Sequence, residues 1–358
     1  MQLYFCPKTW HGTPRNFPHL DVYPWVADLN CLKKIYCLFW ANWGDQFNLP
    51  PGYDYYIISY HRENINLPWL RKQRQQVDGK FIILHPGDHY NYQLSNTKFI
   101  THITWHRDCA LLIDWWGIQP TPSNKKYKYS AVCNRMSQGK LWIITKLLDT
   151  AREQSLLVLN NWIEPKNVHN WELTNNAELD LLTTTFLEKY KGLEIKDGFD
   201  QRDNSQRYNS NPWQPLYTDT ALHFVAGSFH YSLTMDNDES YVYPGPDIDE
   251  KTLKCLVAGT PFVPAAQFDI YGTLTRLGLK FDYGFDISWD QDAGNLTRFQ
   301  NICRLIDDLN QHSINDIVDM TAVSTKHNQE YIISGDFYRE CENKNTQAIN
   351  NVFKAIGE

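Results

Sequence analysis

Residues 241–263, YVYPGPDIDEKTLKCLVAGTPFV, place a loop, a helix start, an acid–base pair and a buried strand in direct succession. Asp247 or Asp249 can cap the helix, because a short carboxylate accepts hydrogen bonds from amides that a first turn leaves unpaired. Leu253, Leu256 and Val257 recur at helical spacing. Gly259 suits the left-handed position that ends a helix, and Thr260–Val263 resumes as a short apolar strand. Helix followed at once by buried strand is the rhythm of a parallel α/β sheet. Glu250 and Lys251 then fall in the first helical turn, where the macrodipole favours anions. A diphosphate there would meet amide donors and the Lys251 ammonium, with the Glu250 carboxylate free to accept hydrogen bonds from sugar hydroxyls. Asp247-Ile-Asp-Glu250 equally fits a capping box, in which Glu250 satisfies a backbone N–H and binds nothing. Local chemistry leaves both readings open.

Outward from this stretch the same alternation continues. Apolar runs Gln2–Phe5, Ile35–Trp40, Tyr55–Ser59, Phe81–Leu84 and Phe99–Thr104 read as strands, followed by a helical-looking Asp108–Trp115. Residues 117–128, GIQPTPSNKKYK, gather Pro, Ser, Asn and Lys as a linker. A second unit follows: strand Tyr129–Cys133, helix Leu141–Arg152, strand Leu156–Leu159, a helix over Ala177–Lys191, and a polar loop 195–215 that reads as an insertion or mobile cover. A strand over 222–234, the Glu250 helix, strand Pro261–Pro264 and helices Ile270–Leu277 and Leu296–Asn310 complete it. The expected organisation is an N-terminal Rossmann-like domain over 1–120 and a second over 121–335. Residues 336–358 form a C-terminal segment whose helix, near Asn345–Ile356, has no packing partner legible in its sequence.

A chain of 358 residues with 42% hydrophobic and 21% charged residues can bury two cores. No run of about 18 apolar residues occurs, and the N-terminus lacks a charged segment leading into an apolar one, so the expectation is a cytoplasmic protein without a membrane span. Eight cysteines without a Cys-x-x-Cys pair point to buried thiols rather than zinc or a disulfide framework. A net charge of −7 argues against a globally basic nucleic-acid coat. Locally, Arg62, Arg71, Lys72, Arg74 and Lys80 lie close to Tyr55, Tyr56, Tyr60, His61 and Trp69. That interleaving of cations and aromatics suits backbone-and-stacking recognition of DNA, and it also suits a solvated amphipathic helix beginning near Pro68. Asp236, Asn237, Asp238 and Glu239 suggest either a weak cation site or, preferably, a solvated loop tip; no segment points to an obligate protein partner.

Ala131-Val-Cys-Asn-Arg-Met-Ser-Gln-Gly-Lys140 runs from an apolar strand through a polar turn into a helix. Arg135 can donate two parallel hydrogen bonds to a diphosphate and Lys140 can add a point charge; an ordinary surface Arg and Lys is the plainer alternative. Tyr241 and Tyr243 can stack on a base or sugar, or fill a core.

Glu250-Lys-Thr before an apolar helix, then Ala258-Gly-Thr-Pro-Phe-Val263 and Leu274-Thr-Arg-Leu-Gly-Leu-Lys-Phe281, resemble the donor-site region of α-1,3-fucosyltransferase-like enzymes and of phage and giant-virus glycosyltransferases. The resemblance spans roughly residues 125–310 and is clearest over 230–285. It implies a GT-B architecture, two Rossmann-like domains facing across a cleft, with a nucleotide-diphosphate sugar, UDP-sugar favoured, as donor and no metal required. It places donor contacts on Glu250 and Lys251, and a basic residue that stabilises the departing nucleotide on Arg135. Among the phage enzymes of this kind are some that add a sugar to hydroxymethylated cytosine, so double-stranded viral DNA is the expected acceptor. A surface or capsid glycan, or a non-catalytic binding module, are the alternatives.

Inverting transfer needs a base at the wall contributed by the first domain. Asp88 follows strand Phe81–Leu84 in His85-Pro-Gly-Asp88 and is the first choice. Asp45, after Ile35–Trp40, and His11, after the first strand, share its logic. Each also fits a turn-capping or partly buried role.

Overall fold

The computed structural model describes residues 2–5, 33–39, 48–59, 65–85, 94–103, 113, 124–133, 136–159, 168–169, 177–193, 195–196, 215–226, 241–242, 248–265, 268–291 and 295–357. It is mixed α/β with parallel sheets. In chain order the elements are β1 (Gln2–Phe5), β2 (Ile35–Phe39), β3 (Tyr55–Ser59), α1 (Leu67–Gln76), β4 (Lys80–His85), β5 (Thr97–Thr101), β6 (Tyr127–Cys133), α2 (Gln138–Thr150), β7 (Ser155–Leu159) and α3 (Ala177–Lys189). They continue with β8 (Ile195–Lys196), α4 (Pro215–Thr218), β9 (Thr220–Val225), α5 (Glu250–Ala258), β10 (Phe262–Pro264), α6 (Ile270–Thr275), α7 (Asn295–Asn310), α8 (Ile314–Ile333) and α9 (Asp336–Gly357). The chain divides into two compact units. One comprises Met1–Thr104, Met235–Gly245 and Cys341–Glu358; the other comprises Trp105–Thr234 and Pro246–Glu340.

In the first unit five strands lie in the order β1-β2-β3-β4-β5, all parallel. Strand order that follows chain order has a consequence. Right-handed crossovers, the rule for parallel strands, then put every connection on the same face. The core bears this out: Leu49 from the β2–β3 connection, Trp69 and Leu70 of α1, and Leu94 before β5 all pack against Tyr36, Leu38, Tyr56, Ile58, Phe81 and Ile83. The alternate residues, among them Ile35, Cys37, Ile57, Ile82 and Leu84, face the other way. Their cover comes from α9. Ala348, Val352, Ala355 and Ile356, with Ile349 and Phe353 beside them, close over that face. Spacings of three and four residues gather them into one stripe. Asn345, one turn earlier, accepts a hydrogen bond from Ile103 N at 2.8 Å and donates to Ile103 O at 2.8 Å. This settles where the C-terminal helix packs, which its own sequence does not say.

The second unit orders its sheet β8-β7-β6-β9-β10, with β8 antiparallel to β7 and the rest parallel. The chain starts in the middle, at β6, steps to β7 on one side and later to β9 and β10 on the other. With right-handed crossovers, α2 and α5 therefore cover opposite faces. Trp142 of α2 meets Phe299 of α7 edge-on at 4.6 Å. Two expectations from the sequence change here. Tyr127 and Lys128, read as linker, already belong to β6, where Lys128 Nζ donates to Asn310 O at 3.3 Å. Ile195 and Lys196, read as the start of a polar loop, pair with β7. Among the described residues no helix is long and apolar enough to cross a membrane.

Candidate functional site

In an open α/β sheet ligands collect beyond the carboxyl ends of the strands, at the point where strand order reverses, because the loops there diverge and leave a crevice. The first sheet has no such reversal. The second reverses between β6 and β9. The chain leaves β6 at Cys133 and enters α2 at Gln138; the crossover from β9 to β10 runs through α5. Both helices consequently start on the carboxyl side of the sheet and flank the reversal.

Three lysines occupy these helix starts, and all are buried: Lys140 is 1% exposed, Lys251 5% and Lys254 5%. Their charges converge. The Cys133 thiol at the end of β6 is pushed up by burial and pulled partly back by Lys140 and Lys251 together. The imidazole of His223, on β9, responds to Lys251 and Lys254. Residues from two separate crossovers thus create one positive region beside the switch point.

Asp249 caps α5. Its Oδ1 accepts from Lys251 N at 3.1 Å, Thr252 N at 3.0 Å and Thr252 Oγ1 at 3.1 Å, and its Oδ2 accepts from Lys251 Nζ at 3.2 Å. Gly259 ends the helix at φ 64°. One reading is corrected and another is decided. The amides expected to hold a diphosphate already bond to Asp249, so side chains would have to hold an anion here. With Asp249 as the cap, Glu250 is the first helical residue and Thr252 the third, so of the two candidate capping residues Asp249 is the N-cap.

His223 Nδ1 lies 2.7 Å from Ser130 Oγ. Ser130 Oγ donates to Leu216 O at 2.7 Å, and Thr220 Oγ1 donates to the same carbonyl at 2.8 Å. Because the serine proton is committed to that carbonyl, the hydrogen-bond pattern assigns the imidazole proton to Nδ1. Nε2 keeps a lone pair and is buried without a hydrogen-bond partner. Burial, reinforced by Lys251 and Lys254, pushes the imidazole down to about 3. It is neutral at ordinary pH.

Of the sequence-derived candidates, the structure brings together Lys140 and Lys251. Arg135 and Tyr243 lie outside the described residues, as do Asp236–Glu239. Glu250 is described as the first residue of α5. Asp88, Asp45 and His11 are likewise outside the described residues; the strands that precede them, β4, β2 and β1, end at one edge of the first sheet. Lys254 and His223 escaped the sequence reading. For Lys254 the signal was its position three residues after Lys251, on the same helical face; for His223, inside an apolar strand, there was none.

The basic-aromatic segment is revised. Tyr55, Tyr56 and Trp69 are core residues, and the Arg74 guanidinium lies over the Phe81 ring at 5.8 Å. These aromatics are not available for stacking on bases. Arg71, Lys72 and Lys80 are exposed, while Tyr60, His61 and Arg62 lie outside the described residues. No family model and no curated protein matches the chain.

Proposed function

We propose that the chain is a nucleotide-sugar-dependent glycosyltransferase of the two-domain GT-B kind, holding the donor diphosphate beside the β6/β9 switch point. The observation that carries this reading is the convergence of Lys140, Lys251 and Lys254 from two helix starts. Three buried ammonium groups gathered from two helix starts favour an anionic ligand, and in a buried setting each charge-assisted hydrogen bond is stronger than at a surface. The sugar-nucleotide identity rests on the resemblance around Glu250 and Lys251, with Arg135 on the departing diphosphate and UDP-sugar as the favoured donor. Asp88, after β4, is the proposed base, with Asp45 and His11 behind it.

A panel of UDP-, GDP- and other activated sugars, screened by thermal stabilisation, tests the donor, since a ligand that binds only the folded state raises its melting point. Arg135→Ala, and Lys251→Met made together with Asp249→Asn to keep the pair neutral, should each weaken the donor by about 1.5–3 kcal/mol. Asp88→Asn should slow transfer with donor binding intact. Unchanged binding in both basic-site variants, or no stabilisation by any activated sugar, would remove the proposal.

The proposed acceptor is hydroxymethylated cytosine in duplex DNA, and the support for it is the exposed Arg71, Lys72 and Lys80. Replacing all three should reduce the dependence of log affinity on log salt by about 2.7, at roughly 0.9 per phosphate contact. No DNA retention at low salt would turn the acceptor reading to oligosaccharide.

A further inference from the structure

A cleft of about 410 Å³ opens in the second unit between α7, α8 and the segment 284–289, and it shares no residue with the lysine region. Its volume falls in the range of small-ligand sites. Trp289, Leu305 and Leu309, all buried, line it. Its polar edge is a single row on α7 and just beyond: Asn301, Arg304, Asp308 and His312, spaced by three to four residues and so stacked on one helical face. Asp286 joins them from the other strand of chain. That carboxylate is fixed in place, accepting from Ser288 N at 2.8 Å and held below the ordinary aspartate range by its bonds to Ser288. Trp289 is fixed too, donating from Nε1 to Asp286 O at 3.0 Å. Among the described residues no ion pair engages Arg304 or Asp308, although they are one turn apart.

The mixture of groups selects the ligand. A phosphate or other anion wants donors only, and Asp286 and Asp308 oppose it. An apolar ligand would leave this polar row unsatisfied. A sugar hydroxyl gives one hydrogen bond and takes others, and the row matches that demand: two carboxylates accept, Arg304 donates in a fork, the Asn301 amide does both and the His312 imidazole adds ring nitrogens. We propose that this cleft binds a neutral carbohydrate, a short oligosaccharide end, as a site separate from the donor region.

The test applies an array of neutral oligosaccharides to the full chain without nucleotide, followed by calorimetric titration of the strongest binder. Arg304→Ala and Asp308→Ala are exposed substitutions that leave the core intact, and each should weaken binding at least tenfold. Lys326→Ala, exposed elsewhere on α8, should leave it unchanged, and all three variants should keep any stabilisation by activated sugars. The proposal is overturned if no oligosaccharide binds, if binding survives Arg304→Ala with Asp308→Ala, or if inorganic phosphate or a short peptide occupies the cleft in an Arg304-dependent way instead. Since the donor screen reads a different set of side chains, failure here leaves that proposal standing, and the reverse also holds.

Discussion

His223 should make the native state sensitive to acid. In the unfolded chain an imidazole binds its proton near pH 6.5, whereas the folded one resists until about 3. A folded-state pKa depressed in this way contributes stability that is present above pH 6.5 and is lost as pH falls towards 3, by roughly 4–5 kcal/mol in total. Urea midpoints measured from pH 7.5 to 4 should therefore fall more steeply for the wild type than for His223→Gln, and parallel profiles would refute the assignment. Asp249 offers a second check at this scale. Asp249→Ala removes a cap and the carboxylate that Lys251 Nζ donates to, a loss of about 2–4 kcal/mol, whereas Asp249→Asn keeps an acceptor for the two amides and should lose less. Denaturant titration distinguishes them. The cap and Lys251 were legible because both are local: a carboxylate, a turn and a glycine stop lie within eleven residues. His223 was not, since its chemistry depends on Ser130 and Leu216, which only the sheet brings alongside it.

At the level of elements, α9 is the piece whose removal should matter most to the first unit. Ile356→Ala should cost about 2–4 kcal/mol through the cavity it leaves in the sheet face. Asn345→Ala should cost about 1–3 kcal/mol, because the N–H and C=O of Ile103 lose their partner in a buried setting. Guanidinium unfolding followed by tyrosine and tryptophan emission measures both, and a change below about 0.5 kcal/mol in each would contradict the packing described. Most strands were legible from their apolar runs, and α7 from its periodicity. Helix α8 is not legible in the same way. Its inward face carries Thr321, Ser324 and Asn328 as well as Ile317 and Ile332, so the apolar stripe is interrupted. The remaining signal was the Ser313–Asp316 capping box, a [Ser/Thr]-x-x-[Asp/Glu] pattern that the structure forms in full.

At the scale of the whole molecule, the donor reading predicts where a ligand's stabilisation is felt. At one hundred times its dissociation constant a donor sugar adds about 2.7 kcal/mol to the state that binds it. Amide exchange should slow over β6 and α5 in the second unit, and protection confined to the first sheet would place the ligand elsewhere. The existence of two α/β units was readable from alternating apolar runs, but the strand orders were not. Periodicity reports which residues are buried, not which strand lies beside which; nothing local in Ile35–Phe39 or Thr220–Val225 says that one sheet runs straight through its order while the other turns back.

Helix α9 also sets a timetable for synthesis. Asn345 stands 242 residues downstream of the Ile103 backbone it must satisfy. At roughly 5–20 residues per second, a ribosome needs on the order of 12–48 s to travel between them. Throughout that interval the nascent first sheet has one apolar side without its lid, a surface for holding chaperones or for unwanted neighbours.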